Sequence, residues 1–561
     1  MSHSPATLWS RAFLGELYSW GVRDVVLSPG ARSQALALAA LEWERATEGE
    51  LRVHVVIDER SAAFRALGIS TESGVPAVCV STSGSAPGHY LPAVMEAHHA
   101  GIPLMVVSAD RPEELRGVGA NQTTTQDGLF GVFAPTIAPP TPDEASLAGV
   151  AGVAGVATDV MRMALGDKHP VHVNVGFREP LSGTVPDELV IPKPQILEET
   201  SPTNTVTLDP EPNTLVIAGH GAGPGAEAFA VEIGAPLIAE AVSGARCGPH
   251  LVLDYRNMLS EDAAHITRVI TWGRPTLSRE VWSLLSDASR QHYVVRGSAA
   301  EVPNPSGSAV IVDEIAVSRP ATREETALWV KPWVMAGRER HAEVLEQILP
   351  QAPDLESLSA SDPASRSAFA KQEMAVLRRP VTREALALAM WEATWPHDRL
   401  VLGASRMVRV VDQVVGPKNI TVHSNRGLSG IDGTVSFSRG VAEAAAHAGV
   451  TGVTRVLLGD LALLHDAGSL MREPGTPEAG RVQLFVANDG GGTIFDSLEV
   501  KESAPSADFD RALYTPHEVD LSALAGAYGW SYRAVSTMGE LTEALASSES
   551  YLVVDISLPR D

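Results

Sequence analysis

Cysteine is almost absent: Cys79 and Cys247 are the only two in 561 residues. That excludes a disulfide framework and favours a reducing compartment. Aromatic residues make up only 5% of the chain, so its cores must be packed from Ala, Val and Leu. Basic residues are also scarce, with 43 Lys and Arg against 68 Asp and Glu and a formal net charge of −25. Such a field repels nucleic acid and anionic membrane surfaces. No run approaches the roughly 18 apolar residues of a membrane span, and Met1 to Pro5 carries no signal-peptide pattern. These absences describe a soluble, cytoplasmic protein that binds neither nucleic acid nor membrane. Any anionic substrate must meet a local cluster of arginines that reverses the global field.

The length suggests about three or four domains. Two Pro/Ser/Thr-rich stretches without periodicity, Ile191 to Thr214 and Pro350 to Ser367, read as connectors. They leave three blocks, 1–190, 215–350 and 368–561. In the first, strand signals at Val22 to Ser28, Val53 to Ile57, Val75 to Ser81 and Ile102 to Ser108 alternate with amphipathic helices. The third repeats the alternation, with strands near Leu400 to Leu402, Ile420 to Val422, Arg455 to Leu458 and Val482 to Val486. This is the signature of an α/β protein with open, mostly parallel sheets flanked by helices. No internal repeat is visible. The middle block opens with Leu215 to Ala218 and a glycine-rich turn, but Pro224 stands where a dinucleotide fingerprint needs its third glycine. The turn therefore reads as structural and Rossmann-like.

The most informative pair of sites is Gly459-Asp460 and, 29 positions later, Asp489 in Asn488-Asp489-Gly490-Gly491. Each follows a short apolar run that reads as a buried strand, and the spacing suits two parallel neighbours joined by a crossover. Two carboxylates at adjacent strand ends, with a glycine carbonyl close by, can hold a small hard cation such as magnesium. Such a cation keeps positions open for phosphate oxygens. The spacing resembles the signature of thiamine-diphosphate enzymes, with Asp489 in place of the usual second Asn. Upstream, Glu59 in Asp58-Glu59-Arg60 ends a strand beside an apolar helix. A partly desolvated carboxylate there suits proton transfer; an ion pair with Arg65 is the structural alternative. The small-residue loop Ser81 to Gly88, with Ser83, Gly84 and Ser85 at its centre, can cradle a ring or phosphate or can simply turn the chain. Arg32, Arg111, Arg409 and Arg426 all fall just after predicted strands, where ligand crevices open in such sheets. Ser405 stands four residues before Arg409, on one helix face. Any one of these arginines could be a surface ion-pair partner. Together they suggest a substrate with several carboxylates.

The segments SPGARS (28–33), DER (58–60), TSGSA (82–86), ADRP (109–112), GANQ (119–122), SNRGLSGIDG (424–433), GD (459–460) and ANDGGGTIF (487–495) resemble the 2-succinyl-5-enolpyruvyl-6-hydroxy-3-cyclohexene-1-carboxylate synthases of menaquinone biosynthesis. The resemblance covers both outer blocks; the middle block matches in outline. It implies three domains: pyrimidine-binding, Rossmann-like and diphosphate-binding, in that order. It also implies decarboxylation of 2-oxoglutarate and a Stetter-like addition to isochorismate, with thiamine diphosphate and Mg2+ (or Mn2+) as cofactors. Glu59 would activate the cofactor, with Ser83, Gly84, Ser85, Gly430, Ile431, Gly459 and Leu461 around it. Asp460, Asp489 and the Gly491 carbonyl would hold the metal. Arg32, Arg111, Asn121, Gln122, Arg279, Ser405, Arg409 and Arg426 would bind substrate, and Ile494, Phe495 and Leu498 would wall the pocket. A homodimer or homotetramer is implied, because the family's cofactor sits between the first domain of one subunit and the third of another. Three positions depart from the family pattern: Ala31 for a serine, Arg279 alone for a lysine-arginine pair, and Asp489. The rival readings are a smaller-substrate carboligase or decarboxylase of the acetolactate synthase type, and a non-catalytic nucleotide-binding protein on the same fold.

Overall fold

The structure, a computed structural model, describes residues 4–143, 150–166, 168–184, 189–196, 204–349, 363–473 and 479–560. The first block forms a six-stranded sheet in the order Arg52–Val55, Asp24–Leu27, Ala77–Ser81, Leu104–Asp110, Val171–Gly176, Thr136–Ile137. The third forms another six-stranded sheet: Thr421–His423, Arg399–Leu402, Thr454–Gly459, Val482–Asn488, Tyr551–Ser557, Ser531–Val535. Every pairing in both is parallel. Numbered within its own block, each sheet runs 2-1-3-4-6-5. The two halves therefore repeat one topology, although no repeat is legible in the residues. The four central strands are apolar and buried because helices cover both faces.

The middle block carries a five-stranded parallel sheet, Val310–Val312, Gln291–Val295, Arg268–Trp272, Thr214–Ala218, Leu237–Ala239. Its turn after Ala218 leads into the helix Gly225–Ile233, with Pro224 at the N-cap. The connector reading of Ile191 to Thr214 needs correction. Thr205–Leu208 inside it is a strand, paired in parallel with Glu314–Val317. Its partner lies more than a hundred residues away, and local composition does not report such a pairing. Within the second connector, residues 350–362 lie outside the described residues, and its end belongs to the helix Pro363–Leu377.

The outer blocks meet where helix Glu59–Ser73 crosses helix Thr434–His447. Each follows the second strand of its own half, so the contact joins equivalent elements. Glycine permits the approach from both sides. A Cβ on Gly68 would stand 2.0 Å from the Phe437 carbonyl oxygen, and one on Gly440 would stand 2.0 Å from that of Arg65. Gly433 accommodates the Phe64 ring in the same way. Arg65 then donates two bonds to Glu443 across the interface, Nε to Oε2 at 2.8 Å and Nη2 to Oε1 at 2.5 Å, with both side chains buried.

Ala at Gly440 drives a methyl group into backbone that cannot rotate away. Thermal unfolding of Gly440→Ala is expected to show a loss of about 3 kcal/mol, the upper part of the overpacking range. Gly152→Ala is the control: it lies in a helix with nothing within 4 Å of the new Cβ. There the helix preference of Ala is expected to leave stability unchanged or up to about 1 kcal/mol higher.

Candidate active site

In the first sheet, ligand-facing groups gather at the C-terminal ends of strands. The Arg32 amide donates to Thr82 Oγ1 at 3.2 Å and its guanidinium to the Phe177 carbonyl at 3.0 Å. Arg111, after Leu104–Asp110, donates to Ser83 Oγ at 2.6 Å and to the Asn121 carbonyl at 2.8 Å. Gln122, held at φ +53°, returns its amide to the Ser83 carbonyl at 3.1 Å. Gly84, at φ +88°, packs against the Gln122 side chain and donates its N–H to Gln126 Oε1 at 3.0 Å. Ser85 is exposed where the one-turn helix Ala86–Tyr90 begins. Arg32 and Arg111 are close enough that burial and the Arg111 charge together depress the Arg32 guanidinium below its ordinary value.

Glu59 is the first residue of its helix, capped by Asp58, whose carboxylate accepts from the Arg60 and Ser61 amides. The Glu59–Arg65 ion pair does not form, because Arg65 is committed to Glu443. Glu59 shares no hydrogen bond or ion pair with Asp460 or Asp489. Its neighbour Arg60 instead docks on the His465 carbonyl at 3.0 Å. His465 is the last residue of the helix Asp460–His465, and Asp460 is the first. Five residues of helix rise, about 8 Å, separate that contact from the acidic end.

Strands Thr454–Gly459 and Val482–Asn488 are adjacent, with Gly459 opposite Ala487, so Asp460 and Asp489 leave neighbouring strand ends. Burial pushes the Asp460 carboxyl above the usual range, and the Asp489 charge adds to the rise. A second carboxylate charge beside the buried Asp460 favours a cation between the two. The surroundings fit one. Gly490 sits at φ +75°, and a Cβ on Gly491 would stand 2.4 Å from the Tyr514 carbonyl oxygen, so glycine keeps this backbone open. The donors are oxygens, which suits magnesium or manganese. Gly459 precedes Asp460 as the N-cap, and the Leu461 amide donates to Asp460 Oδ1 at 2.7 Å. Ile431 is 40% exposed in the turn with Gly430, so its side chain is open to contact with a bound group. The Asp489 departure has a physical counterpart. Arg383, 3% exposed, pairs with Asp489 Oδ2 at 2.9 Å and so offsets the charge an Asn would lack.

A cavity of about 600 Å³ opens between the middle and third blocks, lined by Arg279, Arg409, Ile494, Phe495 and Leu498, with Arg256 alongside. Ser405 is the N-cap of the helix Arg406–Val414, its Oγ accepting from the Met407 amide, while Arg409 in the first turns donates back to the Ser405 carbonyl at 3.3 Å. Burial depresses the Arg409 guanidinium, and the neighbouring charges of Arg256 and Arg279 add to this. Arg426 is buried behind the cavity wall, donating from Nε to Thr276 Oγ1 at 2.9 Å. Among the described residues none of Arg32, Arg111, Arg279, Arg409 and Arg426 makes an ion pair, so the surface ion-pair alternative does not hold for Arg32, Arg111, Arg409 or Arg426. The residues gather into three groups within one chain: the first-sheet cluster, the acidic pair and the arginine cavity. Sequence reading missed Arg256, Arg383, Glu96 and Glu240. Their partners lie far along the chain, so no local motif marks them.

Removing Arg383 would leave the Asp489 carboxylate, its side chain only 9% exposed, with the Thr493 hydroxyl but without this cation. In metal-free protein, Arg383→Ala is expected to cost on the order of 3–5 kcal/mol, measured by denaturant unfolding. An unchanged midpoint would show that Asp489 needs no compensating cation.

Residues 9–129 match the thiamine pyrophosphate enzyme N-terminal TPP binding domain. The chain is 48% identical over 568 residues to the 2-succinyl-5-enolpyruvyl-6-hydroxy-3-cyclohexene-1-carboxylate synthase of Leifsonia xyli subsp. xyli, covering 97% of this chain and 95% of that one. It is 44% identical over 585 residues to the enzyme of that name from Clavibacter michiganensis subsp. michiganensis, covering 99% and 97%. The fold is shared with the crystal structure of benzoylformate decarboxylase from Polynucleobacter necessarius, at a TM-score of 0.67 and 14% identity over 100% of this chain and 99% of that one. With identity of this order over nearly the whole chain, the chain belongs to the 2-succinyl-5-enolpyruvyl-6-hydroxy-3-cyclohexene-1-carboxylate synthase family, on the three-domain α/β fold of thiamine-diphosphate enzymes.

Proposed function

We propose that this enzyme decarboxylates 2-oxoglutarate and adds the resulting four-carbon unit to isochorismate, releasing CO2. It would use thiamine diphosphate with Mg2+ or Mn2+ and work in the cytoplasm as a homodimer or homotetramer. The observation that carries this reading is the set of five arginines without ion pairs at two crevices of a chain with net charge −25. Unpaired guanidiniums in partly dry surroundings bind carboxylates strongly. Both substrates keep carboxylates through the reaction, so fixed forks can hold them in register throughout. A carboligase of the acetolactate synthase type handles smaller acids and has no use for so many forks.

Bound thiamine diphosphate supplies the carbanion chemistry that lets a 2-oxoacid lose CO2 and pass its acyl unit to an acceptor. The chain's own residues do the rest. Glu59 exchanges a proton with the cofactor's pyrimidine side, a role that fits a carboxylate engaged in no ion pair of its own. Ser83, Gly84 and Ser85 border that ring, and Ile431 braces the cofactor together with Gly430. Asp460, Asp489 and the Gly491 carbonyl hold the metal, with Gly459 and Leu461 framing the diphosphate. Arg32, Arg111, Asn121 and Gln122 receive substrate groups from the first block. Arg279, Ser405, Arg409 and Arg426 receive them from the other side, over the apolar wall of Ile494, Phe495 and Leu498. The working units are then a pyrimidine-binding region (1–190), a Rossmann-like region (215–350) and a diphosphate-binding region (368–561). In this reading Glu59 serves the cofactor held by the acidic pair of a second copy; the lack of any direct bond between Glu59 and the acidic pair among the described residues is compatible with that.

CO2 release from 2-oxoglutarate should depend on added thiamine diphosphate and metal and accelerate with isochorismate; no acceleration would favour a simple decarboxylase. Arg409→Ala should raise KM for the dicarboxylate by about 10- to 100-fold, the worth of one charge-assisted hydrogen bond. Glu59→Gln and Asp460→Ala should each lose roughly 10²-fold or more in kcat. Co-refolded equimolar mixtures of the two variants should recover about a quarter of wild-type activity, since about half of randomly paired dimers are mixed and each mixed dimer carries one intact site. Inactive mixtures would place the whole site within one chain.

A further inference from the structure

The middle block sends one carboxylate to the arginine cavity without exposing it. Glu240 follows the strand Leu237–Ala239 and is fully buried. Its Oε1 accepts from the Thr276 amide at 2.7 Å and the Leu277 amide at 2.6 Å. These residues begin the segment Thr276-Leu277-Ser278-Arg279 that lines the cavity, and Thr276 is also the residue to which Arg426 donates. The other carboxyl oxygen, Oε2, is buried and has no hydrogen-bond partner among the described residues. A buried carboxylate with an unpaired oxygen is costly, whereas the neutral acid is tolerated.

The charges around Glu240 explain why it can stay neutral. Asp412, from the helix Arg406–Val414, has taken the local cations: it pairs with Arg256 at 2.8 Å and lies 3.6 Å from Arg246. It also accepts from the Tyr255 hydroxyl at 2.6 Å and the Ala241 amide at 2.8 Å. The groups facing Glu240 are thus the Asp412 charge, the Tyr255 phenol, the two amides and Arg426. Burial and the Asp412 charge push the Glu240 carboxyl well above the usual range. Arg426 in turn is faced by Glu96, Arg274, Arg409 and His220. Glu96 clamps the other side of the Arg426 loop, accepting from the Gly427 and Leu428 amides, both at 2.6 Å.

We infer that Glu240 is a positioning residue of the carboxylate pocket. As the uncharged acid it fixes the Thr276–Arg279 segment and leaves the Arg426 charge available to a substrate carboxylate. An ionised Glu240 would instead satisfy Arg426 from within and weaken substrate binding. This inference rests on the proposed role of the cavity in holding the dicarboxylate.

The sign follows directly: below the raised Glu240 titration the pocket is competent, and as pH rises through it affinity falls. Binding of 2-oxoglutarate should be measured by calorimetry on protein loaded with thiamine diphosphate and magnesium, in a Glu59→Gln background that suppresses turnover, between pH 7 and pH 9.5. With Glu240 intact, Kd is expected to rise about ten-fold or more across that range, the effect of one charge at close quarters. Glu240→Gln keeps the acceptor oxygen and cannot ionise. It should match the pH 7 affinity within about two-fold and remove the alkaline rise. Every other titrating group is common to both proteins, so the ratio of their Kd values isolates Glu240. Glu240→Ala should weaken binding about ten-fold at every pH, through loss of the loop clamp. The same alkaline rise in Glu240→Gln, or unchanged affinity in Glu240→Ala, would overturn the inference. Binding with this pH dependence but no turnover by the wild-type enzyme would refute the proposed reaction and leave the role of Glu240 standing.

Discussion

The crossing of helices Glu59–Ser73 and Thr434–His447 is the constraint on which the remaining geometry depends. Backbone touches backbone there because Gly68 and Gly440 carry no side chains, and the Arg65–Glu443 fork closes the contact. The crossing helices are equivalent members of two sheets with the same strand order, so the contact is close to self-complementary. One relative placement of the two halves satisfies both glycines, and a rotation of a few degrees would lose one. Every functional group on the outer sheets inherits its position from that fit.

The repeated topology also explains how the site residues are distributed. In each half they follow the first four strands, at the carboxyl ends where open α/β sheets bind ligands. Arg32 and Arg409 come after the first strand; Glu59 and the Arg426-to-Ile431 turn come after the second. Ser83 to Ser85 and Gly459 to Leu461 come after the third, and Arg111 and the Asp489-Gly491 turn after the fourth. One scaffold is thus used twice with different chemistry: a first half rich in arginine, amide and hydroxyl groups, and a second half that adds the acidic pair.

These strand-end positions were legible in the sequence because they are local. An apolar run followed by glycine and an acidic or basic residue marks both a buried parallel strand and the loop it feeds. The 29-residue interval between Asp460 and Asp489 carried further information, since it matches a crossover between neighbours. Groups whose meaning is a distant partner were not legible. Thr205–Leu208 sits in a Pro- and Thr-rich stretch and becomes a strand only through Glu314–Val317. Arg383 finds Asp489 across 106 positions, and Glu240 finds Thr276 across 36. Arg65 looked available to Glu59, less than two turns away in the same helix, yet its fork belongs to Glu443, 378 residues further on.

The same long-range pairs decide which charges are available for ligands. Arginines with structural duties have been given carboxylates: Arg65 has Glu443, Arg383 has Asp489, and Arg246 and Arg256 share Asp412. Among the described residues the arginines at the crevices form no ion pairs and hydrogen-bond to carbonyls and hydroxyls, and for Arg32, Arg409 and Arg426 burial and neighbouring arginines disfavour the charge. A chain with an excess of acidic residues has ample carboxylate to neutralise them, and leaves them unpaired at the two places where an anionic molecule can enter. In the proposed reaction a polycarboxylate would relieve that cost on binding, against a surplus of negative charge over the rest of the chain.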